Sequence, residues 1–126
     1  MKLNIKNETG RLKSVVLGQP KSIGPVPTLE ESYDAKSYYS IENGIYPKEE
    51  DIIAEMTAFE KVLKKYDVEV FRPNIIKDYN QVFARDVAFV IEDKMIISNV
   101  IKDRADEQEA YRKIFEKVEW RKIINL

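Results

Sequence analysis

The sequence predicts an α/β fold assembled from about two strand-strand-helix-strand modules. Three observations carry that prediction. Short apolar runs of strand-like composition alternate with two amphipathic stretches of helical period. Those two stretches also resemble each other: "EMTAFEKVLKK" from Glu55 and "EQEAYRKIFEK" from Glu107 share an order of Glu, Ala, aromatic, Lys, apolar pair and Lys, and each leads into a Val-Glu strand start, at Val68 and Val118. Either a chance likeness between amphipathic helices or an internal repeat accounts for the match. Finally, 126 residues of which 44% are apolar are enough for one core and too few for two domains.

Taken in order, "GRLKSVVLGQP" sets Leu12, Val15, Val16 and Leu17 between Gly10 and a Gly18-Gln19-Pro20 turn signal, which predicts a mostly buried strand at about 11 to 18. The next two dozen or so residues, to Pro47, hold no steady period and read as a long loop with room for a short helical turn. Tyr33, Tyr38, Tyr39 and Tyr46 argue against plain disorder there, leaving either a substrate-covering or partner-contacting loop, or a packed one. The first helix is the clearest element. Pro47 suits a first helical position, Glu49, Glu50 and Asp51 complement the positive end of its dipole, and Lys61, Lys64 and Lys65 the negative end. Ile52, Met56, Phe59, Val62, Leu63 and Tyr66 recur between them as one apolar face. A strand at about 68 to 71 follows, closed by Arg72-Pro73-Asn74. From Val87 to Val100, "VAFVI" and "MIIS" flank Glu92-Asp93-Lys94 as a hairpin. A second helix from about Arg104 to Lys117 turns Ala110, Tyr111, Ile114, Phe115 and Val118 inward, and "VEWRKII" supplies a last strand whose Trp120 packs.

Composition narrows the function. With 21 basic and 22 acidic side chains and no block of like charge, the chain offers no electrostatic footprint for nucleic acid or an anionic membrane. Its start lacks the apolar segment of a secretory signal, and its longest apolar run, Val87 to Ile91, is far short of a membrane span, so a cytoplasmic setting is expected. There is no cysteine and no histidine. That removes the thiolate nucleophile, the disulfide and the commonest zinc ligands, and leaves only carboxylates, Lys and Tyr for acid-base work. No metal or organic cofactor is implied. Asp103, Asp106 and Glu107 read as a cluster at a helix start rather than as ligands.

The feature that asks for an explanation is "YNQVFARDVAFVI", where Arg85 and Asp86 stand at the mouth of an apolar strand. They are open to several readings: a surface ion pair, charges that blunt a strand edge, an anchor for the Asn80 loop, or a turn aspartate. A further reading is a cradle for a planar cation, because a carboxylate matches the paired N–H donors of a guanidinium and the ring of Phe83 can lie against it.

The words "NETGRLKSVVLGQP" and "NQVFARDVAFVI", in that order with a Pro-x-Glu-Glu helix between them, resemble the guanidino-group-modifying superfamily of amidinotransferases, arginine and agmatine deiminases and dimethylarginine hydrolases. "YNQVFARD" followed by a hairpin and "DRADEQEAYR" is most similar to the glycine or inosamine amidinotransferase branch. The resemblance runs through essentially the whole chain, and the Asn-x-x-Phe-x-Arg-Asp word is its distinctive part. It implies the N-terminal part of a pentein-type α/β propeller, with residues 1–126 a single partial domain. It further implies a cysteine thiolate that attacks the guanidinium carbon, a covalent amidino-thioether, and a histidine for proton transfer. By position, Asp86 matches the guanidinium-binding aspartate, Asn80 a residue that meets the substrate's carboxylate end, and Phe83 the apolar wall; Arg85 is expected to support the fold. Tyr79 and Ala84 depart from the pattern, which blurs the choice between branches. The family's histidine, its Glu-Gly-Gly-Asp-like segment and its cysteine would all follow residue 126, so no catalytic residue is expected here and the chain is expected to be inactive alone. The implied partner is a small guanidine. A non-catalytic binding or self-associating module is the alternative, since a cut propeller leaves open sheet edges that favour homo-oligomers.

Overall fold

A computed structural model describes residues 1–32 and 34–126, which form two small sheets bridged by a broken helix; Tyr33 lies outside the described residues. The first sheet pairs β1 (Ser14–Val16) and β2 (Glu69–Phe71) in parallel, Ser14 opposite Glu69 and Val16 opposite Phe71. A parallel pair needs a crossover, and two helices lie between its strands: α1 (Ala35–Glu42) and α2 (Glu49–Lys65). After α3 (Ala84–Val87), the second sheet begins with a hairpin of β3 (Ala88–Ile91) and β4 (Lys94–Ile97). Next come α4 (Ala105–Ala110) and α5 (Arg112–Phe115), and β5 (Ile123–Asn125) returns parallel to β4. The hairpin-helix-strand sequence is the expected module in full. In the first half only its strand-helix-strand part is present among the described residues. The N-terminal segment instead reaches the second sheet, where Ile5 and Glu92 exchange backbone hydrogen bonds at the hairpin turn.

The core lies where α4 and α5 wedge between the sheets. Val87, Ala110, Tyr111 and Ile114 are buried together against Val16 of β1 and Phe71 of β2. Leu3, Met95 and Val118 form a second cluster, and Phe115 packs against both.

Several expectations need correction. The long loop contains α1, which begins where Asp34 accepts from the backbone N–H of Lys36 and Ser37, and ends at Asn43 with Gly44 in the left-handed region. Its caps were readable, but no apolar period accompanied them. Pro47 stands one residue before the N-cap, Lys48, rather than at the first helical position. The apolar face expected of α2 is divided: Ile52, Met56 and Leu63 are partly covered, whereas Phe59, Val62 and Tyr66 are exposed. The second helix breaks at Tyr111, whose N–H bonds to Gln108 one residue short of helical spacing before the helix resumes. The expected last strand is a 3-10 turn at Trp120–Lys122 followed by β5, and Trp120 is 75% exposed, with the Arg121 guanidinium over its ring, instead of packed.

Candidate functional site

The Asn-x-x-Phe-x-Arg-Asp segment forms an ordered loop that ends in the single turn α3. Its anchor is Gln81, which is fully buried with both side-chain polar atoms bonded: its Oε1 accepts from Ile76 N, its Nε2 donates to Asn74 O, and its backbone oxygen accepts from Gln19 N. Gly18 presses against the same spot. A side chain there would sit well inside contact distance of the Gln81 and Val82 carbonyl oxygens, so only glycine lets the end of β1 lie against the loop. Beyond the anchor, Asn80 Oδ1 accepts from Val82 N at 3.2 Å and closes a local turn. Val87 closes the other end. It is buried under Ala110, Tyr111 and Ile114 while its carbonyl accepts from Ser98 N, so Asp86 just before it is turned to the rim.

At the rim, Asp86 and Arg85 do not pair with each other. Arg85 points to solvent and reaches only Glu8, 3.7 Å away, with both side chains more than four-fifths exposed (85% and 88%), a geometry of little energetic weight. Asp86 Oδ2 instead accepts from Arg104 Nη1 at 2.7 Å, across a sequence separation of 18. The same guanidinium donates through Nε to Glu107 Oε2 at 2.5 Å. The Glu107 side chain is fully buried, that of Arg104 is 28% exposed and that of Asp86 53% exposed. Thus a guanidinium lies between an internal and an external carboxylate. The hydrogen bond Arg104 donates to Glu107, against the cost of burial and with help from Asp86, pushes the Arg104 pKa above even the usual arginine value. Burial first, then the nearby Glu107 charge, also raises the Tyr111 phenol, which stays protonated.

Phe83 is 62% exposed, and Asn80 is exposed as well. Phe83, Asn80 and Asp86 therefore share one surface-facing loop, with the Asp86 amide donating to the Phe83 carbonyl at 3.2 Å. Two shallow concavities of about 330 and 270 Å³ lie elsewhere: one is lined by Asn74, Ile76 and residues of α4, the other by Gln19 and Arg72 among others. Among the described residues, no group of three or more carboxylates could hold a metal ion, and no helix is long and apolar enough to cross a membrane.

Arg104, Glu107 and Gln81 did not emerge as site residues from the sequence. Glu107 was grouped with acids at a helix start, but it caps nothing: it is buried and ion-paired, and Arg104 occupies the N-cap position without a side-chain cap. The side chain of Asp103 lies outside the described residues. The signal for the pair was its spacing, an arginine three residues before a glutamate that shares the inward face of Ala110, Tyr111 and Ile114. No signal marked Gln81.

No protein-family profile matches the chain, and no curated protein matches it. Among solved structures, the fold is similar to that of SxtG, an amidinotransferase from Microseira wollei in the saxitoxin biosynthetic pathway, with a TM-score of 0.66 at 19% sequence identity. The similarity covers 98% of this chain and 41% of that one, so the chain spans less than half the length of that enzyme. At this identity the likeness is one of fold.

Proposed function

We propose that this chain is the N-terminal part of an amidinotransferase-like enzyme that acts on the guanidinium group of arginine or a related guanidine. The observation that carries the reading is the extent of the fold likeness, 98% of this chain laid on 41% of an amidinotransferase, joined to the motif at Asn80 to Asp86. In this reading the ββαβ modules belong to a larger pentein propeller, completed by chain beyond residue 126. The branch is that of the glycine or inosamine amidinotransferases, with arginine or agmatine deimination as the alternative.

Asp86 supplies charge-assisted acceptors for the substrate guanidinium, Phe83 a wall for its flat face, and Asn80 a contact for the far end of the substrate. Support for the role of Asp86 comes from its contact in the fold: the carboxylate already meets a guanidinium at 2.7 Å through Oδ2, while Oδ1 has no partner among the described residues. Bond cleavage needs a nucleophile and a proton carrier. With no Cys and no His in this sequence, both come from the remainder of the enzyme, and the part described here binds and orients.

The test has two arms. The chain by itself, incubated with arginine and glycine, is expected to yield no ornithine, citrulline or amidinated glycine above a buffer blank. In the longer enzyme, Asp86→Asn is expected to abolish arginine turnover, because a neutral amide cannot reproduce the charge-assisted pairing. Turnover by the chain alone, or a near-parental rate in the Asp86→Asn enzyme, would remove the assignment.

A further inference from the structure

The two carboxylates that hold Arg104 are not equivalent. Glu107 is fully buried and accepts from Nε, whereas Asp86 stands half-exposed at the rim and accepts from Nη1. Two acids therefore share one base, and their charges do not cancel. Glu107 offsets Arg104 from within, so the negative charge of Asp86 stays uncompensated toward solvent. Had Arg104 met Asp86 alone, the pair would be neutral and would attract a further cation only weakly. The backbone leaves Asp86 little freedom of its own: its N–H is engaged by the Phe83 carbonyl, and the next residue, Val87, is buried against Ala110, Tyr111 and Ile114. What remains is rotation of the side chain. The bond from Arg104 Nη1 to Oδ2 at 2.7 Å stops that rotation, and Oδ1 has no partner among the described residues.

We infer, resting on the guanidine-binding role of Asp86 proposed above, that Arg104 and Glu107 are positioning residues for that ligand. Arg104 fixes the Asp86 carboxylate in one rotamer and leaves Oδ1 to the guanidinium; Glu107 supplies the charge that keeps the rim anionic although an arginine stands beside it. Each does what the other cannot. Without Glu107 the carboxylate is held but neutralised, and without both residues it is charged but free to turn. Lysine would not serve in place of Arg104, because the two carboxylates meet different nitrogens of one planar group, whereas an ammonium presents its donors from a single point.

The test titrates the chain itself with methylguanidinium at constant, low ionic strength, following the amide and side-chain carboxyl NMR signals of Asp86. The unmodified chain is expected to bind, with Asp86 α–β proton couplings of a single rotamer. Three variants, each checked by circular dichroism for unchanged helix content, separate the contributions. Asp86→Asn is expected to abolish the response. Glu107→Gln keeps an acceptor for Arg104 but removes the offsetting charge, and is expected to weaken binding at least about fivefold, by less at high salt. Arg104→Met combined with Glu107→Leu removes one charge of each sign. It is expected to weaken binding about threefold, because the ligand must then order a free side chain, and to turn the Asp86 couplings into rotamer averages. No response in the unmodified chain, or one that Asp86→Asn leaves intact, would overturn the role of Asp86 and this inference with it. A response that Asp86→Asn removes, with parental affinity kept in either of the other two variants, would overturn the inference alone. So would rotamer averaging at Asp86 in the unmodified chain.

Discussion

Removing Arg104 should cost this protein far more than removing Asp86, although the two side chains touch. In Arg104→Met the aliphatic stem is retained and the guanidinium lost. Asp86, 53% exposed, falls back on water at a cost of roughly 1 kcal/mol or less. Glu107 has no such recourse. It is fully buried, its Oε2 loses the donor at 2.5 Å, and its Oε1 has no partner among the described residues to begin with. Breaking a buried pair from one side costs about 3–5 kcal/mol. The expected destabilisation is about 3 kcal/mol at pH 7.

Urea unfolding followed by circular dichroism measures this directly. With a slope of roughly 1.5 kcal/mol per molar, the midpoint should fall by about 2 M at pH 7. Two companions complete the cycle: Asp86→Asn should cost less than about 1 kcal/mol, and Arg104→Met combined with Glu107→Leu should recover most of the stability, because an apolar pair needs no partner. The reasoning fails if Arg104→Met costs less than about 1 kcal/mol at pH 7.

The other expectations concern the two sides of the motif loop. Gly18→Ala should destabilise by about 2 kcal/mol or more, since the new methyl meets the Gln81 and Val82 backbone rather than a flexible side chain; an unchanged urea midpoint would contradict the close approach. Glu60→Gln should cost about 1–2 kcal/mol at pH 7, because Glu60 bonds Lys64 and Arg72, and Arg72 in turn donates to the Gly18 carbonyl. Those partners, Lys64 first and then Arg72, hold the Glu60 carboxyl below its ordinary value of 4.5. The stability it provides is therefore fully present above that pH and lost as pH falls through the lower folded value, so the difference between Glu60→Gln and the parent chain should vanish in acid. A gap that persists in acid would assign the effect to packing.

How much of this was legible depends on which physical signal each residue left. The hairpin, α2 and β1 carried hydrophobic period or turn chemistry, and they form within a few residues of their expected bounds. The exposed half of α2 was invisible because amphipathicity marks a face that can be buried without saying what buries it; Phe59 and Val62 scored as core and found no cover. At the site, the motif word located Asn80, Phe83 and Asp86 on one rim, yet it could not reveal that Asp86 is already paired, since its partner lies 18 residues away on another element. Half of that pairing was nevertheless within reach. Glu107, Ala110, Tyr111 and Ile114 share one helical face, and a glutamate on a face destined for the core must be neutralised. Arg104, one turn earlier on that face, was the nearest cation able to do it. A buried acid needs its counter-charge at hand, and here that same counter-charge reaches outward to the aspartate at the rim, so the core of the second helix sets the electrostatics of the surface where a guanidine is proposed to bind.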